Sequence, residues 1–345
     1  MRVLSVSYPF APVRPETPGG AEQVLLALDR ALVRSGHGSF VVATVNSTVS
    51  GTLLPVPRPP GVIDAQVRAD VYEACRSAIR DAVEELDIDV VHMHGVDFHE
   101  YMPPDGVPVL VTLHLPLSWY PEKALKTQRP CTYFNCVSKA QESSLPDGAG
   151  PVGRIDNGVD IGFWRTARNV KKEYALSMGR VCAEKGFHIA MDAARSAGVP
   201  FILAGAVFGY KEHEEYYRDF ISPRLSPVSR FIGMVGPGRK RRLLSGARCL
   251  LVPSLAPETS SLVAMEALAS GTPVVAFANG ALAEIVEDGR TGFLVKDEKE
   301  MSSAIRECRG LSGEACRRSA AERFAASAMI EKYFETYGNM AACEA

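Results

Sequence analysis

The chain has 345 residues, 46% hydrophobic and 23% charged, which is ordinary globular composition and enough length for two domains that each bury a core. A formal net charge of −2 leaves no electrostatic footprint for nucleic acid. The eight cysteines form no C-x-x-C pair (Cys131 and Cys136 lie nearest each other), so they offer no zinc set and are expected as free thiols in a reducing cytoplasm.

Val3 to Ser7 reads as a first strand, entered directly from the N-terminus without the apolar run of a signal peptide. No stretch approaches about 20 apolar residues, so no membrane span is expected. Pro18-Gly19-Gly20-Ala21-Glu22 opens a helix from Ala21 to Ser35 with apolar residues at Val24, Leu25, Leu28, Ala31 and Leu32, closed by Gly36. Two glycines at a helix start let a backbone approach a phosphate, and the helix dipole favours one there. A strand over 40–45 follows, then a Pro-rich surface stretch from Pro55 to Pro60 and a helix from Ala65 to Leu86.

Strands are predicted over 90–94, 109–113 and 133–137. Asp87-Ile88-Asp89 precedes its strand and reads as a turn, not a metal-binding pair. His92 and His94 alternate on a strand and face one side. With no acidic or cysteine partner at ligand spacing, they are not expected to hold a metal. His114 ends the next strand.

The pattern breaks at Asp156-Asn157-Gly158-Val159-Asp160, and a second half begins near Tyr174. It runs strand, helix (Phe187 to Ala197), strand (Pro200 to Ala204), helix, strand (Arg230 to Ile232), helix, strand, helix, strand. Strands alternating with helices predict an α/β fold with parallel sheets, in two nucleotide-binding-like halves with a cleft between them.

The second half carries most of the chemistry. Arg180 and Lys185 flank a loop that feeds a helix, where a guanidinium fork and an ammonium would stabilise a departing diphosphate. The basic run Arg239-Lys240-Arg241-Arg242 starts a helix and reads as a solvated face, with contact to an anionic acceptor or membrane surface as the sharper alternative. Leu250-Leu251-Val252 ends at Pro253-Ser254 as a buried strand would. Thr259, Ser260 and Ser261 are natural N-caps for a helix running to about Ala269, with Gly271 at its C′ position and Pro273 beyond. Free amides at Ser261 and Leu262 favour phosphate. Glu258 is placed in the loop and Glu266 about two turns inside the helix, and a carboxylate accepting from vicinal hydroxyls can hold a ribose or a hexose.

The run from Glu258 to Glu266, with Gly271-Thr272-Pro273-Val274-Val275 after it, resembles the Glu-x7-Glu signature of family 4 glycosyltransferases. Gly179-Arg180 with Lys185-Gly186 resembles that family's Gly-Arg…Lys-Gly motif, Gly19-Gly20 its Gly-Gly loop, and Asn157-Gly158-Val159-Asp160 its interdomain motif. The resemblance implies the GT-B fold, two Rossmann-like domains with a cleft between them. Residues 1–160 would be the acceptor side, joined by a helix over 324–345, and 161–323 the donor side. It implies a retaining transfer from a nucleotide-diphosphate sugar to a hydroxyl acceptor, with no divalent metal and no other cofactor.

Residue by residue, the resemblance gives Arg180 and Lys185 the leaving diphosphate, with Gly19, Gly20, Ser261 and Leu262. It gives Glu266 the ribose, Glu258 the donor sugar and His114 the sugar-facing position. Glu22, His92 and His94 fall on the acceptor side. The loop Val207-Phe208-Gly209-Tyr210 and the short first domain are similar to the small avilamycin-type members. Thr259-Ser260-Ser261 departs from the Gly-Phe-Gly-like residues usual after the first glutamate, which bears on the identity of the sugar. Two other readings stay open at this point: a UDP-sugar 2-epimerase on the same fold, and a non-catalytic nucleotide-sugar-binding subunit.

Overall fold

Thirteen short strands, the central ones mostly apolar and buried, assemble into two all-parallel sheets in a computed structural model that describes residues 1–17, 19–58, 63–165 and 174–342. Strands buried on both faces have no need of a polar side. The chain divides into two compact units, one of Met1–Asp156 with the chain from Ser327 onward, the other of Asn157–Ala326.

In the first unit the strands are β1 (Arg2–Val6), β2 (Gly38–Thr44), β3 (Thr52–Val56), β4 (Val90–Met93), β5 (Val109–Leu113), β6 (Thr132–Cys136) and β7 (Val152–Arg154). Their spatial order is β3-β2-β1-β4-β5-β6-β7, so the order reverses at β1 and β4, where such sheets take ligands. The two edge strands were not legible in the sequence. β3 carries Pro55, opposite Ala43 in the register, and a proline without an N–H is tolerated only at an edge. β7 has three residues, one of them Gly153.

Helix Gly20–Arg34 packs Leu25 and Leu26 onto Val41 and Ala43 of one face. The other face buries Leu4, Val42, Val91, Val109, Val111 and Phe134 against Val71, Cys75 and Ile79 of helix Ala65–Glu85. Asp64 caps that helix by accepting from the Val67 amide at 2.9 Å.

The last helix, Ala326–Ala342, is tied to the first sheet by a buried polar network. His92 Nδ1 lies 2.7 Å from the Tyr337 hydroxyl and Nε2 lies 2.7 Å from Thr112 Oγ1. Thr112 in turn lies 3.1 Å from the Tyr333 hydroxyl, which accepts from Asn135 Nδ2 at 3.0 Å. His92 is wholly buried with both nitrogens engaged, so it fastens the last helix to the sheet.

The second unit contains β8 (Ala175–Arg180), β9 (Phe201–Ala206), β10 (Ser229–Phe231), β11 (Cys249–Val252), β12 (Val274–Phe277) and β13 (Gly292–Val295), ordered β10-β9-β8-β11-β12-β13. Neighbouring residues of one strand feed opposite cores: Leu250 and Val252 point to one, Cys249 and Leu251 to the other. The Asn157-Gly158-Val159-Asp160 turn is stitched to the end of this unit, with Val159 donating to the Phe324 carbonyl and Ala326 to the Val159 carbonyl. No helix among the described residues is long and apolar enough to cross a membrane.

The network makes a specific demand. Tyr337→Phe strands a buried imidazole nitrogen and should cost about 1–3 kcal/mol of stability in urea denaturation, whereas a cost near zero would show that the nitrogen finds another partner.

Candidate active site

The carboxyl ends of β8 and β11 are adjacent in the second sheet, and their loops are sewn together. Leu255 N–H donates to the Glu184 carbonyl at 2.7 Å. Gly186 makes this approach feasible: its φ is +62°, and a Cβ there would lie 2.3 Å from the Pro253 carbonyl oxygen. Only glycine meets both conditions cheaply. The outcome is that Lys185 Nζ reaches Glu258 Oε1 at 2.5 Å, with Ser254 Oγ donating to the same oxygen. Glu258 is itself fixed from the far side. Gly280, at φ +63° after β12, packs on the Glu258 backbone, and Ala281 N–H donates to its carbonyl at 2.7 Å.

Arg180 ends β8 beside Ala206 of β9, half-buried, and its guanidinium makes no hydrogen bond or ion pair among the described residues. Its charge is felt at His213, which burial first and then Arg180 hold below the usual imidazole range. A guanidinium and an ammonium thus sit on one loop at the ligand edge, the first uncommitted and the second already paired.

Helix Leu262–Ala269 starts at Leu262, so Glu266 sits about one turn in, not two as the sequence suggested. The Ser261 side chain, at the N-cap, accepts no hydrogen bond from the helix amides, and the Ser260 hydroxyl is buried without a partner among the described residues.

Glu266 is buried, which pushes its carboxyl up from the usual range, while Lys240 opposes that shift from 2.5 Å at Oε2. This overturns the solvated reading of Arg239-Lys240-Arg241-Arg242 for two of its members. Lys240 turns inward, and Arg241 donates to the Phe163 carbonyl at 3.2 Å. No local pattern in the sequence could reveal the Lys240 contact, because its partner lies on another helix. Ser254 was likewise read only as punctuation.

In the first unit, Glu22 is buried with its carboxylate folded over Gly19, and Gly19 and Gly20 begin the first helix. Pro18 of that motif lies outside the described residues. His94 Nδ1 meets His114 Nε2 at 3.0 Å with the rings stacked, and the buried His94 Nε2 has no partner among the described residues. Burial pushes the His114 imidazole down to about 3 and holds His94 well below its usual range, so neither carries charge near neutrality.

Among the described residues no group of three His, Cys, Asp or Glu side chains could hold a metal ion. Two concavities lie away from all these groups, one of about 390 Å³ lined by Arg248, Arg306 and Arg309, the other of about 510 Å³ beside Tyr133 and Lys332.

Two family models match the chain, described as Glycosyltransferase Family 4 over residues 18–163 and as Glycosyl transferases group 1 over residues 160–318. A D-inositol 3-phosphate glycosyltransferase of a Nocardioides species is 44% identical over 82 residues, 23% of this chain and 18% of that protein. A phosphatidyl-myo-inositol mannosyltransferase of Mycobacterium leprae is 24% identical over 311 residues, covering 81% of this chain and 80% of that one. Among solved structures, AviGT4, a glycosyltransferase involved in avilamycin A biosynthesis, is 25% identical with a TM-score of 0.72, covering 99% of this chain and 98% of that chain. The chain thus spans less than a fifth of the first of these relatives and four fifths of the second.

The neutral histidines set a pH dependence. Folded, His92, His94 and His114 resist protonation, whereas unfolded they accept protons below about 6.5. The unfolded state therefore binds more protons in that window, and stability should fall as pH drops from about 6.5 towards 4. Urea midpoints taken across that range should fall more shallowly for His114→Asn than for the wild type, and equal slopes would contradict the assignment.

Proposed function

The chain belongs to the glycosyltransferases of family 4 and group 1, and on that basis we propose a metal-free, retaining transfer of a sugar from a nucleotide diphosphate to an acceptor hydroxyl. The observation that carries this reading is the contact of Lys185 with Glu258, brought from separate loops to 2.5 Å at the carboxyl edge of the second sheet. A cation and a carboxylate held there can meet the two parts of an activated sugar, the phosphate it leaves and the hydroxyls it keeps.

In this mechanism the donor diphosphate lies over the uncapped helix at Ser261 and Leu262, facing Arg180 and Lys185. Glu258 accepts from the sugar hydroxyls and Glu266 from the ribose. The acceptor oxygen attacks the anomeric carbon from the face that the phosphate leaves. The carbon–phosphate-oxygen bond breaks as the new glycosidic bond forms, and the acceptor proton passes to the departing phosphate oxygen. No side chain need act as nucleophile. The negative charge that grows on the diphosphate meets cations fixed in advance, which lowers the barrier without reorganisation.

The first unit supplies the acceptor side, with Glu22 on its first helix, and adds Gly19 and Gly20 at that helix start to the groups that meet the diphosphate. His114 stays neutral, which suits hydrogen bonding to a sugar hydroxyl better than proton transfer. Relatives named for inositol substrates make a cyclitol hydroxyl the first acceptor to assay.

Incubation with UDP-, GDP-, ADP- and TDP-sugars, with and without acceptor, separates the readings. Transfer should appear with one donor class, and Lys185→Ala or Arg180→Ala should each lower kcat roughly 10²- to 10³-fold. A sugar nucleotide converted to its epimer without acceptor, or turnover insensitive to both substitutions, would refute the assignment.

A further inference from the structure

Lys240 does more than neutralise a helix face. Its ammonium lies 2.5 Å from Glu266 Oε2 and 5.4 Å from the centre of the Trp164 ring, with the side chains of Lys240 and Glu266 only 26% and 7% exposed. The seat is built, not accidental. Trp164 closes the short helix Ile161–Trp164, which Asp160 caps by accepting from Phe163 N–H at 2.9 Å. Arg241, next along the chain, stacks over Phe163 at 5.0 Å, and the Phe163 and Trp164 rings meet edge to face at 4.9 Å.

The helix Pro237–Gly246 is therefore anchored through two cations to one aromatic pair, which fixes where Lys240 can reach. A carboxyl buried alone reverts to its neutral acid, and then offers one acceptor oxygen and one donor. Held against an ammonium it stays an anion, and both oxygens can accept. Glu266 Oε2 is buried and committed to the ion pair, whereas Oε1 is not among the buried oxygens and carries no hydrogen bond among the described residues, so its lone pairs remain for a ligand.

We propose that Lys240 is a positioning residue for the donor ribose, keeping the Glu266 carboxylate charged and oriented to accept from the two vicinal hydroxyls. The inference rests on the reading of Glu266 as the ribose ligand. It places a determinant of nucleotide affinity on a residue that need not touch the nucleotide.

Calorimetric titration of the full chain with UDP, GDP and ADP, each against its 2′,3′-dideoxy counterpart, isolates the ribose. The wild type should prefer the hydroxylated nucleotide by roughly tenfold to a hundredfold, the worth of charge-assisted hydrogen bonds. In Lys240→Met and Lys240→Gln that preference should fall to within about twofold, while Lys240→Arg retains it. Thermal unfolding of each variant confirms that it is folded, and Gln guards against collapse of the Met variant. If both neutral variants keep the wild-type preference while Glu266→Gln loses it, Lys240 has no such role and the ribose reading stands. If Glu266→Gln keeps the preference, the ribose reading itself fails and this inference with it.

Discussion

Burying a carboxylate beside a lysine is the physical transaction on which the second unit is organised. An isolated buried carboxylate is unstable as an anion, and the Coulombic return from a single ammonium at contact distance rarely exceeds the cost of desolvating both. Such pairs are poor stabilisers of a fold. Here there are two, Lys185 with Glu258 and Lys240 with Glu266, both at the ligand edge of one parallel sheet. Their placement makes sense as a store of oriented charge for a ligand that is itself anionic at one end and rich in hydroxyls at the other. Glycine makes the first pair geometrically attainable, since any side chain at position 186 would push the two loops apart.

The first unit solves a different problem. His92, His94 and His114 are kept neutral by burial, the reverse of the second unit's charged pairs. His92 ties the final helix to the sheet, and His94 passes a hydrogen bond to His114 at the sheet's edge. The same strand therefore fastens the C-terminal helix with one ring and orients a candidate sugar-facing ring with the next. The separation of tasks follows the pleat only loosely, because the two rings lie 3.9 Å apart and share one environment.

Much of this was legible in the sequence where physics is local. The helix ending at Gly271, the strand over 274–277 and the alternating order of elements in the second half all follow from periodicity and punctuation. Lys185 and Glu258 were each singled out by separate motifs, but their contact was not read from the sequence. What stayed hidden depends on tertiary contact. The edge strands β3 and β7 lack the composition of central strands, since Pro55 and Gly153 are tolerated only where one side of the ladder is open. The partners of His92 on the last helix, Tyr333 and Tyr337, could not be read from its strand alone. Lys240 looked solvated because charge runs usually are, and its carboxylate partner and aromatic seat come from two other helices.

The central claim is that fixed side-chain cations drive departure of the nucleotide diphosphate, in place of a metal ion. Initial rates in excess EDTA, compared with rates after adding Mn²⁺ or Mg²⁺, test it most directly. The account predicts equal turnover in all three conditions. Turnover abolished by the chelator and restored by the metal would contradict it.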